Sequence, residues 1–111
     1  NFHVRDGYCL MEELMKIDNP PSYIFISNYY MHVGATKYLI EQGNSLKHSV
    51  AIASFDDMEL SSILGFCKIR VGQPMMEIGS KAAQLLLARI NHEESPFPQI
   101  IRLKTRLIIE N

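Results

Sequence analysis

The chain has 111 residues, of which 47% are hydrophobic, so it can bury one modest core and leaves no room for a second complete domain. Its 11 basic and 12 acidic residues nearly balance, which excludes a strongly basic surface for nucleic acid or an anionic membrane. Cys9 and Cys67 lie far apart without CxxC spacing, which argues against a disulfide framework or a zinc site and favours a reducing compartment. No apolar run reaches membrane-spanning length. Because the chain has no initiator Met, we expect a piece of a longer protein.

The first half of the chain alternates between helical and strand patterns. An apolar stripe predicts a helix from an N-cap at Asp6 to a point shortly before Pro20. The run from Tyr23 to Ser27 predicts a strand, and the run from Val50 to Phe55 predicts another. Between them, apolar residues at i, i+4, i+7 and i+8 predict a second helix that Gly43 closes, namely Met31, Ala35, Tyr38 and Leu39.

The second half continues the alternation. A short helix is possible from Met58 to Gly65, and residues 68–71 alternate as a strand with one wetted face, at an edge or in a crossing segment. A long helix is predicted from Pro74 to about Asn91, and its apolar face is too wide to be covered by this chain alone. Ile100 to Leu103 and Leu107 to Glu110 predict two short final strands.

This order of elements predicts the fold class and the place of a site. Strands that alternate with helices through short connections indicate an α/β fold, with a parallel sheet covered by helices on both faces. Ligands of such sheets lie outside the carboxyl ends of the strands. The two apolar strands end at Asn28 and at Asp56, so these are the first candidates for recognition, and they could share one site.

Three segments in order carry a resemblance to a known family. They run from Ile24 to Ala35, with the core Ile-Ser-Asn-Tyr-Tyr-Met; from Ser54 to Ser61, with Phe-Asp-Asp; and from Gln73 to Ala83, with Gln-Pro-Met-Met-Glu-Ile-Gly. The chain resembles the C-terminal part of the effector-binding domain in the lactose/galactose repressor family of bacterial transcription regulators. The resemblance implies a periplasmic-binding-protein-like fold of type I, a parallel three-layer sandwich in which two subdomains close around a small molecule. Residues 1–71 and 106–111 would belong to the C-terminal subdomain, and residues 72–105 would cross into the N-terminal one.

The resemblance also implies an effector site. Phe2 falls where family members place an aromatic ring against the effector, and an apolar ring face supports such a contact. Asn28 and Asp56 fall where the family hydrogen-bonds effector hydroxyls, and an amide with a carboxylate suits a polyol. Gln73 would line the cleft at the crossing between subdomains. The chain departs from the family pattern at Tyr29, Ser54 and Gly72 and over Lys68-Ile69-Arg70, so the effector itself stays unassigned.

Other interpretations of these residues stay open. Phe2 could be an ordinary chain-end aromatic residue, and Asn28 could serve only as a helix N-cap. Asp56, Asp57 and Glu59 could bind a hard cation, as in a metal-dependent phosphohydrolase, although no phosphate-binding glycine loop accompanies them. The four histidines lack ligand spacing, and we expect them at the surface.

A dimer contact is implied as well. In the family, the helix after the Asn and the segment after the Asp pair face a second chain, which points to Val33, Lys37, Leu60 and Leu64. Leu60 and Leu64 would form an apolar group with Ile63 and Phe66. The alternative is that these side chains cover the sheet of their own chain.

The expected function is sensing of a small molecule, a sugar or sugar phosphate, by a DNA-binding transcriptional repressor. The chain would bind no metal or cofactor and catalyse no reaction. Operator DNA would be bound by a helix-turn-helix that is not in this chain, the protein would be a homodimer without membrane contact, and it would act in the cytoplasm. The alternative is a sugar-binding receptor of a transport system with the same fold.

Overall fold

The structure is a computed structural model that describes residues 2–43, 49–57, 59–63, 65–93, 96 and 98–110, with only the backbone at residue 60. The chain divides into two compact units. The first unit comprises Asn1–Gly72 and Leu107–Asn111, and the second comprises Gln73–Arg106. The assignment of the two parts to the C-terminal and N-terminal subdomains of a larger effector domain stays a prediction.

The first unit begins with two packed helices around one strand. Helix α1 spans Val4–Met15, strand β1 spans Tyr23–Ile26 and helix α2 spans Tyr29–Glu41. Asp6 is not the N-cap of α1 as the sequence suggested. His3 holds that position, and its backbone N–H donates to Asp6 Oδ2 at 3.1 Å, because an acidic residue in the first turn can reach back to the free amide. Gly43 ends α2 at φ 85°, the left-handed conformation that favours glycine.

The remaining elements of the first unit complete a sheet. Strand β2 spans Ala51–Phe55, helix α3 Glu59–Ile63 and strand β3 Cys67–Gly72. Within the described residues the sheet order is β1-β2-β3-β4, and β1, β2 and β3 pair in parallel. β4 spans Arg106–Ile109, and just after it the Glu110 N–H donates to the Lys68 carbonyl at 2.8 Å.

The position of β3 corrects a sequence expectation. Residues 68–71 were expected to lie at an edge or in a crossing segment with one wetted face, but β3 lies between β2 and β4. A register shift between Ile52 and Ala53 of β2 lets Ile52 pair with Cys67 and Ala53 with Ile69. This bulge breaks the period of two, so Cys67 and Arg70 are both buried, and Arg70 does not face water as the alternation suggested.

The core of the first unit lies between the sheet and the helices. The stripe predicted on α2 is there: Ala35, Tyr38 and Leu39 are buried, and Met31 packs against them. Strand residues contribute to this core because alternate side chains of β2 point inward. The buried apolar residues are Met11, Ile26, Ala35, Tyr38, Leu39, Val50, Ile52, Phe66 and Cys67.

The second unit contains helix α4, which spans Met75–Ile90 after an N-cap at Pro74. None of its side chains is buried, and Met76 is 88% exposed. A cavity of about 330 Å³ lies between this helix and the segment that follows it, lined in part by Ile78, Leu85 and Ile101. The strand expected over Ile100 to Leu103 is wrong, because these residues have no strand structure and Ile100 is 78% exposed.

Candidate functional site

The residues at the carboxyl ends of β1 and β2 lie at one edge of the sheet. Ile26 of β1 pairs with Ser54 of β2 in a parallel register. Asn28 lies two positions after Ile26, and Asp56 lies two positions after Ser54. The two residues therefore follow the same register position of neighbouring strands. Both side chains are partly exposed. The structure therefore gives this edge an amide and a carboxylate, the pair that the sequence pointed to.

Asn28 caps helix α2. Its Oδ1 accepts a hydrogen bond from the Met31 N–H at 3.3 Å, and its backbone is extended, as an N-cap requires. The capping interpretation is thus correct. This bond uses the amide oxygen, and the two N–H donors of the side chain keep their capacity to bind an acceptor. Capping fixes the side chain at the end of the strand, which is compatible with a second role in ligand recognition.

Asp56 occupies a strained turn after β2. Its φ is 83°, a conformation that few residues other than glycine adopt, although Asp and Asn do so more easily than most. The contacts that hold the turn include the bond from the Asp56 N–H to the Val71 carbonyl, at 3.0 Å, and the bond from Ser54 Oγ to the Asp56 carbonyl, at 3.4 Å. The strained backbone thus lies at one of the two residues that the sequence identified as first candidates for recognition.

Asp57 has a different environment from Asp56. Its Oδ1 accepts from Arg70 Nε at 2.8 Å, while Arg70 Nη1 donates to Glu110 Oε1 at 2.7 Å. Arg70 is only 6% exposed, so the guanidinium is removed from water and held between two carboxylates. Burial alone would lower the pKa of Arg70, but the hydrogen bonds to Glu110 and Asp57 raise it, so the charge is retained.

Phe2 and Gln73, the other two expected effector contacts, belong to different units. Phe2 precedes α1 in the first unit and is 66% exposed. Gln73 directly follows β3 and belongs to the second unit. Whether Phe2, Asn28, Asp56 and Gln73 bind an effector stays a prediction.

A separate cavity of about 300 Å³ lies between α1, β1 and α2. Among the described residues that line it, the polar side chains are those of Glu13 and Ser27, and the others are apolar residues such as Leu14, Phe25 and Met31. A polyol needs several hydrogen-bonding partners when it leaves water. The polar edge at Asn28 and Asp56 therefore offers hydrogen-bonding groups that this cavity lacks.

His32 was expected at the surface and is instead 3% exposed. Its Nδ1 lies 3.4 Å from Ser61 Oγ, and burial, followed by the charge of Arg70, lowers its pKa. In the described part of the chain, neither His32 Nε2 nor Thr36 Oγ1 has a hydrogen-bond partner. The sequence did carry a signal: His32 stands three residues before Ala35 and seven before Leu39, on the buried face of α2.

The residues expected at a dimer contact are only partly described. Val33 is half-buried, and the Lys37 side chain is 63% exposed, with its Nζ 3.9 Å from Glu41 Oε1 and 5.9 Å from the centre of the Tyr8 ring. Leu64 and the side chain of Leu60 lie outside the described residues.

Ile63 and Phe66, which were expected to form an apolar group with Leu60 and Leu64, differ in their exposure. Ile63 is 74% exposed, whereas Phe66 is buried in the core, so its place in an exposed group with Leu60 and Leu64 is wrong.

A cation site at the acidic residues is not formed. Among the residues that the structure describes, no three His, Cys, Asp or Glu side chains come close enough to hold a metal ion. One reason is that Asp57 binds the Arg70 guanidinium, which neutralises the charge of the Asp57 carboxylate.

Comparison with known proteins places these features in a family. The sequence profile of the periplasmic binding protein-like domain matches residues 2–110. The HTH-type transcriptional repressor PurR of Haemophilus influenzae is 28% identical over 102 residues, which are 92% of this chain and 30% of that protein. The chain thus spans less than a third of this curated relative.

Solved structures show the same fold. A LacI family transcriptional regulator from Enterococcus faecium with bound ribose has a TM-score of 0.81 and 27% identity, covering 97% of this chain and 39% of its own. A carbohydrate transporter solute binding protein from Agrobacterium radiobacter, in complex with D-arabinose, has a TM-score of 0.82 at 19% identity, covering 97% of this chain and 36% of its own. These matches confirm the α/β fold and the resemblance predicted from the sequence, and the chain belongs to the periplasmic binding protein-like domain family.

Proposed function

We propose that this chain is part of the small-molecule sensing domain of a DNA-binding transcriptional repressor. The observation that carries the proposal is that Asn28 and Asp56 follow paired strand ends at one edge of the sheet, in a chain of which 92% is similar to an HTH-type repressor. Effector binding would shift the equilibrium between conformations of the sensing domain and so change operator affinity. The operator would be bound by a helix-turn-helix outside this chain.

The proposed effector is a sugar or a sugar phosphate. The Asp56 carboxylate can accept from two hydroxyls, and the free N–H donors of Asn28 can bind a hydroxyl oxygen. Phe2 would stack on an apolar sugar face, and Gln73 would add an amide. The relative from Enterococcus faecium with bound ribose supports a sugar over other small molecules.

A homodimer is proposed as the functional form. Two-fold operators need two recognition helices at a fixed separation, and a dimer supplies them. Val33 and Lys37 on α2, with Leu60 and Leu64, would form the contact. The proposal is supported by the partial exposure of Val33 on α2 and the 74% exposure of Ile63 on α3, apolar side chains that a second chain could cover.

We propose a binding function without catalysis, metal or cofactor, in the cytoplasm, where a repressor meets its operator. Of the three relatives described above, two are regulators of transcription and one is a solute binding protein. Across the described residues, no helix has both the length and the apolar character of a membrane span.

The alternative is a sugar-binding receptor of a transport system. The transporter protein from Agrobacterium radiobacter supports the shared fold, but its 19% identity carries no functional argument. The repressor is favoured because the relative most similar in sequence among those described is a DNA-binding regulator.

The two candidates are separated by DNA and sugar binding in the full-length protein. A thermal-shift screen of monosaccharides and their phosphates, including D-ribose, should identify a compound that raises the melting temperature. Selection of operator sequences from random DNA should then yield a two-fold site whose affinity changes with that compound. Sugar binding without any DNA binding would favour the receptor, and no response to any sugar would contradict the proposed effector class.

A further inference from the structure

The turn that presents Asp56 is anchored by a side chain of the neighbouring strand β3. Asp57, the next residue, binds Arg70 of β3 at 2.8 Å, and Arg70 binds Glu110 at the end of β4 at 2.7 Å. One buried guanidinium thus connects the loop after β2 with the last strand of the first unit. The connection crosses three strands, and no short-range contact along the chain could supply it.

Arg70 reaches this position because of the bulge in the β2–β3 pairing. The register shift between Ile52 and Ala53 breaks the alternation, which brings Arg70 beside Ser54 on the buried side. Ser54 Oγ is the same atom that donates to the Asp56 carbonyl. Arg70 and Ser54 therefore flank the strained turn on one face, while the Asp56 N–H is bound to the Val71 carbonyl.

We propose that Arg70 is a positioning residue, which holds Asp56 in its strained conformation by fixing Asp57 and ties this turn to the end of β4 through Glu110. A turn at φ 83° persists only where surrounding contacts over-determine it, and the two charge-assisted bonds of Arg70 provide that constraint. The inference rests on the proposed function in one respect, that Asp56 contacts the effector. Movement of β4 would then change the position of the Asp56 carboxylate. By the same coupling, effector binding at Asp56 would change the position of β4.

Hydrogen exchange tests this without any sugar. In the full-length protein, mass spectrometry of the peptide around Ser54–Asp57 should show exchange of the Asp56 amide about tenfold faster or more in Arg70→Met, since bonds to a charged group are lost. Arg70→Lys should restore part of the protection, because an ammonium can still reach one carboxylate. Asp57→Asn and Glu110→Gln are milder variants, whose side chains are partly exposed, and each should accelerate exchange at the same peptide.

The matched control is Met11→Ala, which shortens a buried core side chain on α1, outside β2, β3 and the turn. This variant should lower the melting temperature, but it should accelerate hydrogen exchange at Ser54–Asp57 no more than in the rest of the domain. An equal acceleration there in Met11→Ala and Arg70→Met would overturn the positioning role. An unchanged turn in Glu110→Gln would overturn the link to β4. Because no sugar is present, a failed sugar screen would refute the proposed function and leave this result intact.

Discussion

Gly34 of α2 lies directly against the backbone of Val4 in α1, so closely that a Cβ at Gly34 would overlap the Val4 carbonyl oxygen and lie 2.7 Å from the Tyr8 nitrogen. The obstacle is backbone, which cannot rotate away as a side chain can. Glycine at this position therefore sets the distance between the two helices.

Gly34→Ala should destabilise the protein by about 1 to 3 kcal/mol or more, since the helices must separate to admit the methyl group. Urea unfolding of the full-length protein would measure the loss. Gly79→Ala is the matched control: Gly79 is exposed within α4 and has nothing within 4 Å, so the same change should stabilise by about 0.5 to 1 kcal/mol. Equal effects at the two positions would contradict the close packing of α1 on α2.

The buried His32 predicts a pH dependence of stability. Its pKa is lowered in the folded state, chiefly by burial, so the unfolded chain binds the proton more readily. The contribution of neutral His32 to the free energy of unfolding is fully present above the ordinary histidine pKa of 6.5. It is lost as the pH falls from 6.5 through the lower pKa of His32 in the folded state. Melting temperatures between pH 5 and 7.5 should therefore fall more steeply in the natural protein than in His32→Gln, and parallel curves would show that His32 takes no part.

Asn28 allows its two roles to be separated. Asn28→Ala should cost about 1 kcal/mol because the cap on the Met31 N–H is lost. Asn28→Ser retains a capping oxygen, so stability should be nearly unchanged, while the amide donors are removed. If the serine variant binds the sugar identified by thermal shift as well as the natural protein does, calorimetry would remove Asn28 from the effector site and leave it a cap.

Asp56 and Asp57 should respond oppositely to substitution. Asp56→Asn tolerates the left-handed backbone and should weaken binding of that sugar by roughly 2 to 5 kcal/mol, the cost of breaking a buried charged contact. Asp57→Asn should do less to affinity and more to the melting temperature, because it removes a partner of Arg70. Calorimetry and thermal melts on both variants decide the matter, and equal affinity losses would contradict the assignment.

A proposed dimer contact at Val33 predicts loss of assembly. Val33→Asp, or Leu64→Asp in the part of the chain outside the described residues, would bury an unpaired charge twice in an isologous interface. We expect analytical ultracentrifugation of the full-length variants to show monomers, with operator binding lost and effector affinity kept. Lys16→Ala is the control and should stay dimeric, because the exposed Lys16 pairs with Glu12 on α1, outside the proposed contact. Unfolding in place of dissociation would assign Val33 to the core of its own chain.

How much the sequence could predict depended on the range of the interactions involved. The buried stripe on α2 and the strands before Asn28 and Asp56 follow from local period, and they are correct. The burial of Arg70 depends on a register shift between two strands and on Glu110, which is forty residues away along the chain. No local pattern carries that information, so alternation alone assigned Arg70 to a wetted face.

The sheet also has a consequence for the way the chain folds. Its strands lie side by side in the order in which they are synthesised, from β1 to β3, so each new strand finds its neighbour already in place. The fourth strand arrives only after the whole of Gln73–Arg106 has been made. Until then Arg70 has Asp57 but lacks its second carboxylate partner, Glu110. We expect pairing of β4 with β3 to be the slow step in forming the complete sheet, because it closes the long segment Gln73–Arg106 at an entropic cost.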